Sequence, residues 1–302
     1  MTSADGAGTL GRNDALPRPS DIELLGLNLD SDSLSGRFEL IPGLSRHDGA
    51  LYGGTGVAVS VAAMEAATGR DCLWVTTQYV STTYLGSMIE VSAEVLASGR
   101  AISQVQVTGR HQGRVLFVSL GSTATPRPDG LDGQYETMPA VEGVEHSPPM
   151  PFGPGRSEDP NGFNAYVEYR LAEVRDTSDS APPMALWARL AGGRPSTRAG
   201  IAFLADMVPL AIARAAGAMG GGPSLDNSLR FGRVPEATTW VLLELRGHLS
   251  YGAHAHGSVR AWSPQGDLVA VGSQSANMMH TFDPAQVPDA MAALLGGARP
   301  AK

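Results

Sequence analysis

Three residues in the second half of the chain have side-chain types that could together activate a water molecule. Asp206 closes the run Phe203-Leu204-Ala205-Asp206, Ser224 opens Ser224-Leu225-Asp226-Asn227-Ser228, and Gln274 stands in the last alternating apolar segment. A carboxylate can take a proton from water, while a hydroxyl and an amide can hold that water by donating and accepting. Such a set supports hydrolysis without a Ser or Cys nucleophile. The single cysteine, Cys72, lies in an apolar stretch and reads as core filler. Asp226 and Asn227 are rival polar candidates, and Asp226 reads as a structural hydrogen-bonding residue at a strand start.

These residues need a helix and strands to bring them together. In the first half, Gly53-Gly54 opens an Ala/Val-rich run to Ala67 that Gly69 closes. Alternating or β-branched segments follow at Leu73 to Tyr84, Met88 to Ala97, Ala101 to Arg110 and Arg114 to Thr123. In the second half, Phe163 to Arg175 and Met184 to Leu190 read as strands, and Thr197 to Ala216 as one helix closed by Gly217. Strands are then expected over Leu225 to Phe231, Thr239 to Ser250, Ala253 to Ser263 and Leu268 to His280. The two halves share one order, which predicts a duplicated α+β unit with little residue identity between the copies. From Thr55 to Ala67 only Glu65 is ionisable, so the first helix must be buried nearly all round. A long helix wrapped by a curved antiparallel sheet is the hot-dog arrangement; two in one chain make a double hot-dog.

Length and composition fit that organisation. At 302 residues the chain exceeds a usual single core. The expected boundaries are a tail over 1–20, an N-terminal unit over 21–125, a Pro/Gly-rich linker over 126–160, a C-terminal unit over 161–282 and a second tail over 283–302. A formal net charge of -8, with Lys302 as the sole lysine, argues against nucleic-acid or anionic-membrane partners. No apolar run is long enough for a membrane span and the N-terminal residues lack the apolar core of a signal peptide, so a cytoplasmic location is expected.

The motifs also resemble a known family. LYGGTGVAVSVAAMEA is similar to the glycine-rich helix start of TesB-type acyl-CoA thioesterases, also called acyl-CoA thioesterase II. The following strands QYVSTTYLGSMIEVSAEVLASGRAISQVQVTGRHQGRVLF share that family's glycine turns. RAGIAFLADMVPLA resembles its second helix, PSLDNSLRFGR its Thr-Ile-Asp-His-Ser strand, and GDLVAVGSQSANMM its final glutamine-bearing strand. The likeness covers most of 35–125 and 162–280. It implies hydrolysis of acyl-CoA to a free fatty acid and coenzyme A, with the family's Asp, Thr and Gln falling on Asp206, Ser224 and Gln274. It also implies a homodimer or higher homo-oligomer. No cofactor is expected, coenzyme A being part of the substrate, and no metal site. The glycine-rich segment Ala218 to Pro223 is shorter than the family's, which bears on the mouth of the acyl pocket.

Gly53 and Gly54 are the expected oxyanion donors, through backbone N–H groups at a helix N-terminus. Arg230 and Arg233 are the expected contacts to coenzyme A phosphates, with Arg100 and Arg110 as further candidates. Two other functions compete with this reading. One is an acyl-CoA or lipid-binding protein of the same fold that does not hydrolyse. The other is an enoyl-CoA hydratase, which needs Asp followed by His on the helix-entry loop; His47-Asp48 reverses that order. His254 and His256 lack a third ligand at metal-like spacing, and Glu65 lies too far along the first helix to match the helix-borne catalytic acid of single hot-dog thioesterases.

Overall fold

The computed structural model describes residues 24–30, 32–150, 162–172, 174, 183–194, 196–236, 238–279 and 281–282. Both expected tails lie outside these residues. The first half runs β1 (Asn28–Asp30), β2 (Ser35–Glu39), α1 (Gly53–Thr68), β3 (Asp71–Tyr79), β4 (Met88–Ser98), β5 (Ile102–His111) and β6 (Arg114–Ala124). The second runs β7 (Val167–Ala172), β8 (Met184–Leu190), α2 (Arg198–Leu204), α3 (Val208–Ala215), β9 (Met219–Gly220), β10 (Ser224–Phe231), β11 (Val241–Tyr251), β12 (His254–Trp262), β13 (Leu268–Asn277) and β14 (Thr281–Phe282).

Twelve strands form one antiparallel sheet in the order β1-β2-β4-β5-β6-β3-β10-β13-β12-β11-β8-β7. Counted outward from its centre, the two halves have the same order: β3, β6, β5, β4, β2, β1 on one side and β10, β13, β12, β11, β8, β7 on the other. The repeat is therefore one of topology, and β3 paired to β10 joins the copies. This is the double hot-dog arrangement that the sequence predicts.

In α1 every residue from Gly54 to Met64 is buried. A helix of glycine, alanine, valine and threonine can be surrounded because small side chains let strands and a second helix approach its backbone. Gly69 ends it in the left-handed conformation (φ 63°), returning its N–H to Glu65 O.

The second helix departs from the single run expected over Thr197 to Ala216. Thr197 caps α2 by accepting from the Gly200 N–H at 2.9 Å, but the chain turns at Ala205-Asp206-Met207 and restarts as α3. Pro209 supplies the reason. It has no N–H to give the Ala205 carbonyl, and it is tolerated in the first turn of the restarted helix. Other strand limits shift as well. β3 stops at Tyr79 rather than Tyr84, and 162–166 form a 3-10 turn ahead of β7. The short β1 and β2 are additions, since a three-residue segment such as Asn28–Asp30 is too short to show an alternation.

The described part of the segment expected as a linker packs against the sheet. Met138, Val141 and Val144 cover Trp187, Leu242 and Trp262 in a small second core. Trp187 Nε1 donates to Glu142 O at 2.8 Å, and Gln134 bonds both Gly266 O and the Leu268 N–H. No helix among the described residues is long and apolar enough to cross a membrane.

Candidate active site

The break between α2 and α3 delivers Asp206 into the interior, 6% exposed, against the start of α1. A β-carbon built on Gly53 would lie 2.5 Å from Asp206 Oδ2 and 3.0 Å from Ser224 Oγ, so only glycine permits this approach. The Gly54 N–H donates to the Asp206 carboxylate.

Strand β10 supplies two more donors from positions of opposite parity. Its register with β13 shifts between Ser224 and Asp226, leaving Leu225 as the extra, exposed residue. Such a bulge re-aims a side chain, so Ser224 and Asn227 both face Asp206. Ser224 Oγ is 3.4 Å and Asn227 Nδ2 3.0 Å from Asp206 Oδ1. Asp226 Oδ1 accepts the Ser275 N–H at 2.6 Å, the structural role expected for it. Gln274, paired directly with Asn227 across β10 and β13, places Nε2 2.5 Å from Asp206 Oδ1 and 2.6 Å from Ser224 Oγ. Its Oε1 is buried without a partner among the described residues.

Four groups thus donate to one carboxylate, and each favours its charged form. Burial outweighs them and pushes Asp206 up from 3.8 to about 7. The surrounding phenols, Tyr52, Tyr79 and Tyr169, are pushed up too, by burial first and then by their neighbours' charges, including that of Asp206. A carboxylate tuned near neutrality is suited to accept a proton from water.

The structure brings Asp206, Ser224, Gln274, Gly53 and Gly54 together and leaves the arginines outside. Arg230 alternates away from Asn227 onto the outer face, donating to Ser228 Oγ and lying 5.8 Å from the Trp74 ring centroid. Arg233, past the end of β10, pairs with Asp132 in solvent. Arg110 is paired with Glu90 in the β4–β5 ladder, and Arg100 lies in the turn joining those strands. Asn227 is the site residue that sequence reasoning left among rival candidates. Its signal was its register, opposite Gln274.

The pairing registers also locate the first half's counterpart. Thr77 on β3 lies opposite Asn227 on β10, and Ser119 on β6 pairs with Thr77 as Gln274 pairs with Asn227. There Ser60 Oγ and Thr77 Oγ1 meet Ser119 Oγ at 2.7 and 2.8 Å, all buried. Hydroxyls thus stand at the positions that match Asn227 and Gln274, and this cluster of three hydroxyls holds no base.

The remaining candidates are engaged elsewhere. Glu65 accepts the Cys72 N–H, and burial pushes the Cys72 thiol up, leaving it a poor nucleophile. Asp48 pairs with Arg46. His256 meets Ser275 and His248 meets Ser258, and among the described residues no group of three His, Cys, Asp or Glu could hold a metal ion.

Comparison with known proteins bears on the whole arrangement. Residues 42–125 match the profile of the acyl-CoA thioesterase N-terminal domain, and residues 144–278 that of the acyl-CoA thioesterase C-terminal domain. Among solved structures, a candidate thioesterase from Novosphingobium aromaticivorans is 29% identical, with a TM-score of 0.73 over 84% of this chain and 98% of its own. An acyl-CoA thioesterase II, TesB2, from Mycobacterium marinum is 18% identical, with a TM-score of 0.67 over 89% and 99%. A thioesterase II candidate from Thermobifida fusca is 19% identical, with a TM-score of 0.73 over 86% and 99%. The last two similarities speak to fold alone. A comparison with curated protein sequences finds no match.

Proposed function

The chain belongs to the acyl-CoA thioesterase family, which makes it a thioester hydrolase, and from that premise we propose that Asp206 is the general base that activates water against an acyl-CoA. The observation carrying this reading is the buried Asp206 carboxylate, raised to about 7 and held by Ser224, Asn227, Gln274 and the Gly54 N–H.

In this mechanism a water donates one hydrogen to Asp206 and is oriented by Ser224 Oγ and by Gln274 Oε1, which has an acceptor position to offer. As Asp206 takes the proton, the water oxygen attacks the thioester carbonyl carbon. Negative charge collects on the carbonyl oxygen at the start of α1. Gly54 N–H is engaged by Asp206, so the Gly53 N–H is the donor assigned to the oxyanion. Collapse re-forms the carbonyl and breaks the C–S bond. The thiolate of coenzyme A leaves readily, its pKa being ~8.5, and is protonated from Asp206. The products are the free acid and coenzyme A, with no covalent enzyme intermediate. The resemblance to TesB-type enzymes supports a cytoplasmic homodimer or higher homo-oligomer as the working form.

Release of thiol from acyl-CoAs of graded chain length tests the reading directly. kcat/KM is expected to rise with pH through a midpoint of about 7 and then level, because Asp206 is a base only when deprotonated. A rate that falls across that window would remove Asp206 from the role of base. Asn227→Ala takes away one donor to the carboxylate, so the midpoint should move upward by about one unit, and a pH–rate profile of the variant checks it. Saturable binding of every chain length with no thiol released would instead favour a non-hydrolysing binder.

A further inference from the structure

The turn carrying Asp206 interrupts a helix, and an interrupted helix leaves carbonyl groups without their N–H partners. In a continuous helix Phe203 O and Leu204 O would accept from the N–H groups of residues 207 and 208. Here the Met207 N–H turns back to Ala205 O at 2.8 Å, and Pro209 offers no N–H at all. Two phenols from distant parts of the chain fill the gap. Tyr52, the residue before α1, places its hydroxyl 3.1 Å from Phe203 O and 3.4 Å from Asp206 O. Tyr169, on β7 at the far edge of the sheet, donates to Leu204 O at 3.0 Å.

Both rings are held firmly. Tyr52 stacks on Phe163, with centroids 4.0 Å apart and planes 6° from parallel, and meets Phe203 edge-on at 5.2 Å. A β-carbon on Gly54 would lie 2.3 Å from the Tyr52 ring and 2.5 Å from Phe203 O, so α1 is closed down on the same carbonyl that Tyr52 caps. Tyr169 is 4% exposed. Buried hydroxyls on buried carbonyls are costly to remove without replacement, which makes these bonds a means of fixing backbone shape.

We propose that Tyr52 and Tyr169 are positioning residues for thioester hydrolysis, whose phenol protons fix the shape of the α2–α3 break and so aim the Asp206 carboxylate at its water. The proposal rests on the reading of Asp206 as the base. Neither phenol is assigned a contact with the substrate. Two consequences follow if the hydroxyls are lost. The turn, which Pro209 still keeps from closing into a continuous helix, gains freedom to shift, which swings Asp206 away from Ser224 and Gln274. The carbonyl oxygens of Phe203 and Leu204 also turn uncompensated negative charge toward a buried carboxylate, which disfavours its ionised form. The titratable groups facing Asp206 are Tyr52 ahead of α1, Tyr79 on β3 and Tyr169 on β7. All three phenols are held neutral by burial, so none supplies a compensating titration.

The test uses the full chain and the variants Tyr52→Phe and Tyr169→Phe, each keeping the ring and deleting one oxygen. Each is expected to lower kcat by about 10-fold or more, with KM changed less than about 3-fold, and to move the acid limb of the pH–rate profile to higher pH. A purely structural role would leave that limb in place, with activity falling only in step with the folded fraction measured by circular dichroism, and would overturn the proposal. Wild-type kcat in both variants would overturn it too. Asp206→Asn, assayed in parallel, separates the two levels: if that variant keeps full turnover, the base assignment fails and takes the proposal with it. If it is inactive while both phenylalanine variants are unaffected, the positioning role alone is refuted.

Discussion

Asp206→Asn is expected to lower hydrolysis by a factor of ~100 or more while leaving acyl-CoA binding in place and making the folded protein more stable at alkaline pH. The first effect follows from removing the only carboxylate in the cluster. The gain in stability follows from burial. Asp206 has a folded-state pKa of about 7 against an ordinary value of 3.8. Between those values the folded protein retains a proton that the unfolded chain has released, so this group's contribution to stability is full below about pH 4 and is lost as pH rises through 7. At pH 8 the charged carboxylate costs on the order of 2–4 kcal/mol. An asparagine cannot ionise and still accepts at Oδ1 from Asn227, Gln274 and Ser224. Thermal or denaturant unfolding of both proteins at pH 5 and pH 8 checks this: the variant's advantage should be larger at pH 8. An equal advantage at both, or none, would mean that the carboxylate is not the strained group the geometry makes it.

Gly53→Ala should be nearly as damaging to turnover, also by about 100-fold, although alanine is the better helix former. The added methyl would lie 2.5 Å from Asp206 Oδ2 and 3.0 Å from Ser224 Oγ, well inside contact distance, so the carboxylate and the hydroxyl must both move. A displacement of this kind disrupts water alignment without emptying the core. Gly221→Ala is the matching control, because a β-carbon there meets nothing within 4 Å. Steady-state kinetics on the two variants, with circular dichroism to confirm the fold, should show loss in the first and wild-type rates in the second. Equal rates in both would separate the α1 start from the chemistry.

Much of this architecture could be read from residue pattern. The charge-poor run after Gly53 could only be a surrounded helix, and Gly69 and Gly217 marked where chain direction changes, both adopting positive φ. Asp206 stands out because it lies inside an apolar run, where an unpartnered polar group is costly, while Ser224 and Gln274 are singled out by the resemblance of their strands to those of TesB-type thioesterases. Other features depended on register, which pattern does not supply. Alternation alone would place Ser224 and Asn227 on opposite faces, and only the bulge at Leu225 turns both toward Asp206. The same alternation, counted from Asn227, takes Arg230 to the outer face. The helix break was signalled by Pro209, but its effect on Asp206 depended on where the neighbouring carbonyls found hydroxyls. Those came from Tyr52 and Tyr169, 151 and 35 residues away in sequence from the carbonyls they cap.

The central claim is direct attack by a water that Asp206 deprotonates. It is tested most directly by stopping the enzyme during turnover of a slowly hydrolysed acyl-CoA, weighing the intact protein by mass spectrometry, and counting coenzyme A and free acid in the same sample. The mechanism predicts equal amounts of the two products at every time and a protein mass without an acyl adduct. An acylated protein, or a burst of coenzyme A ahead of the acid, would contradict it.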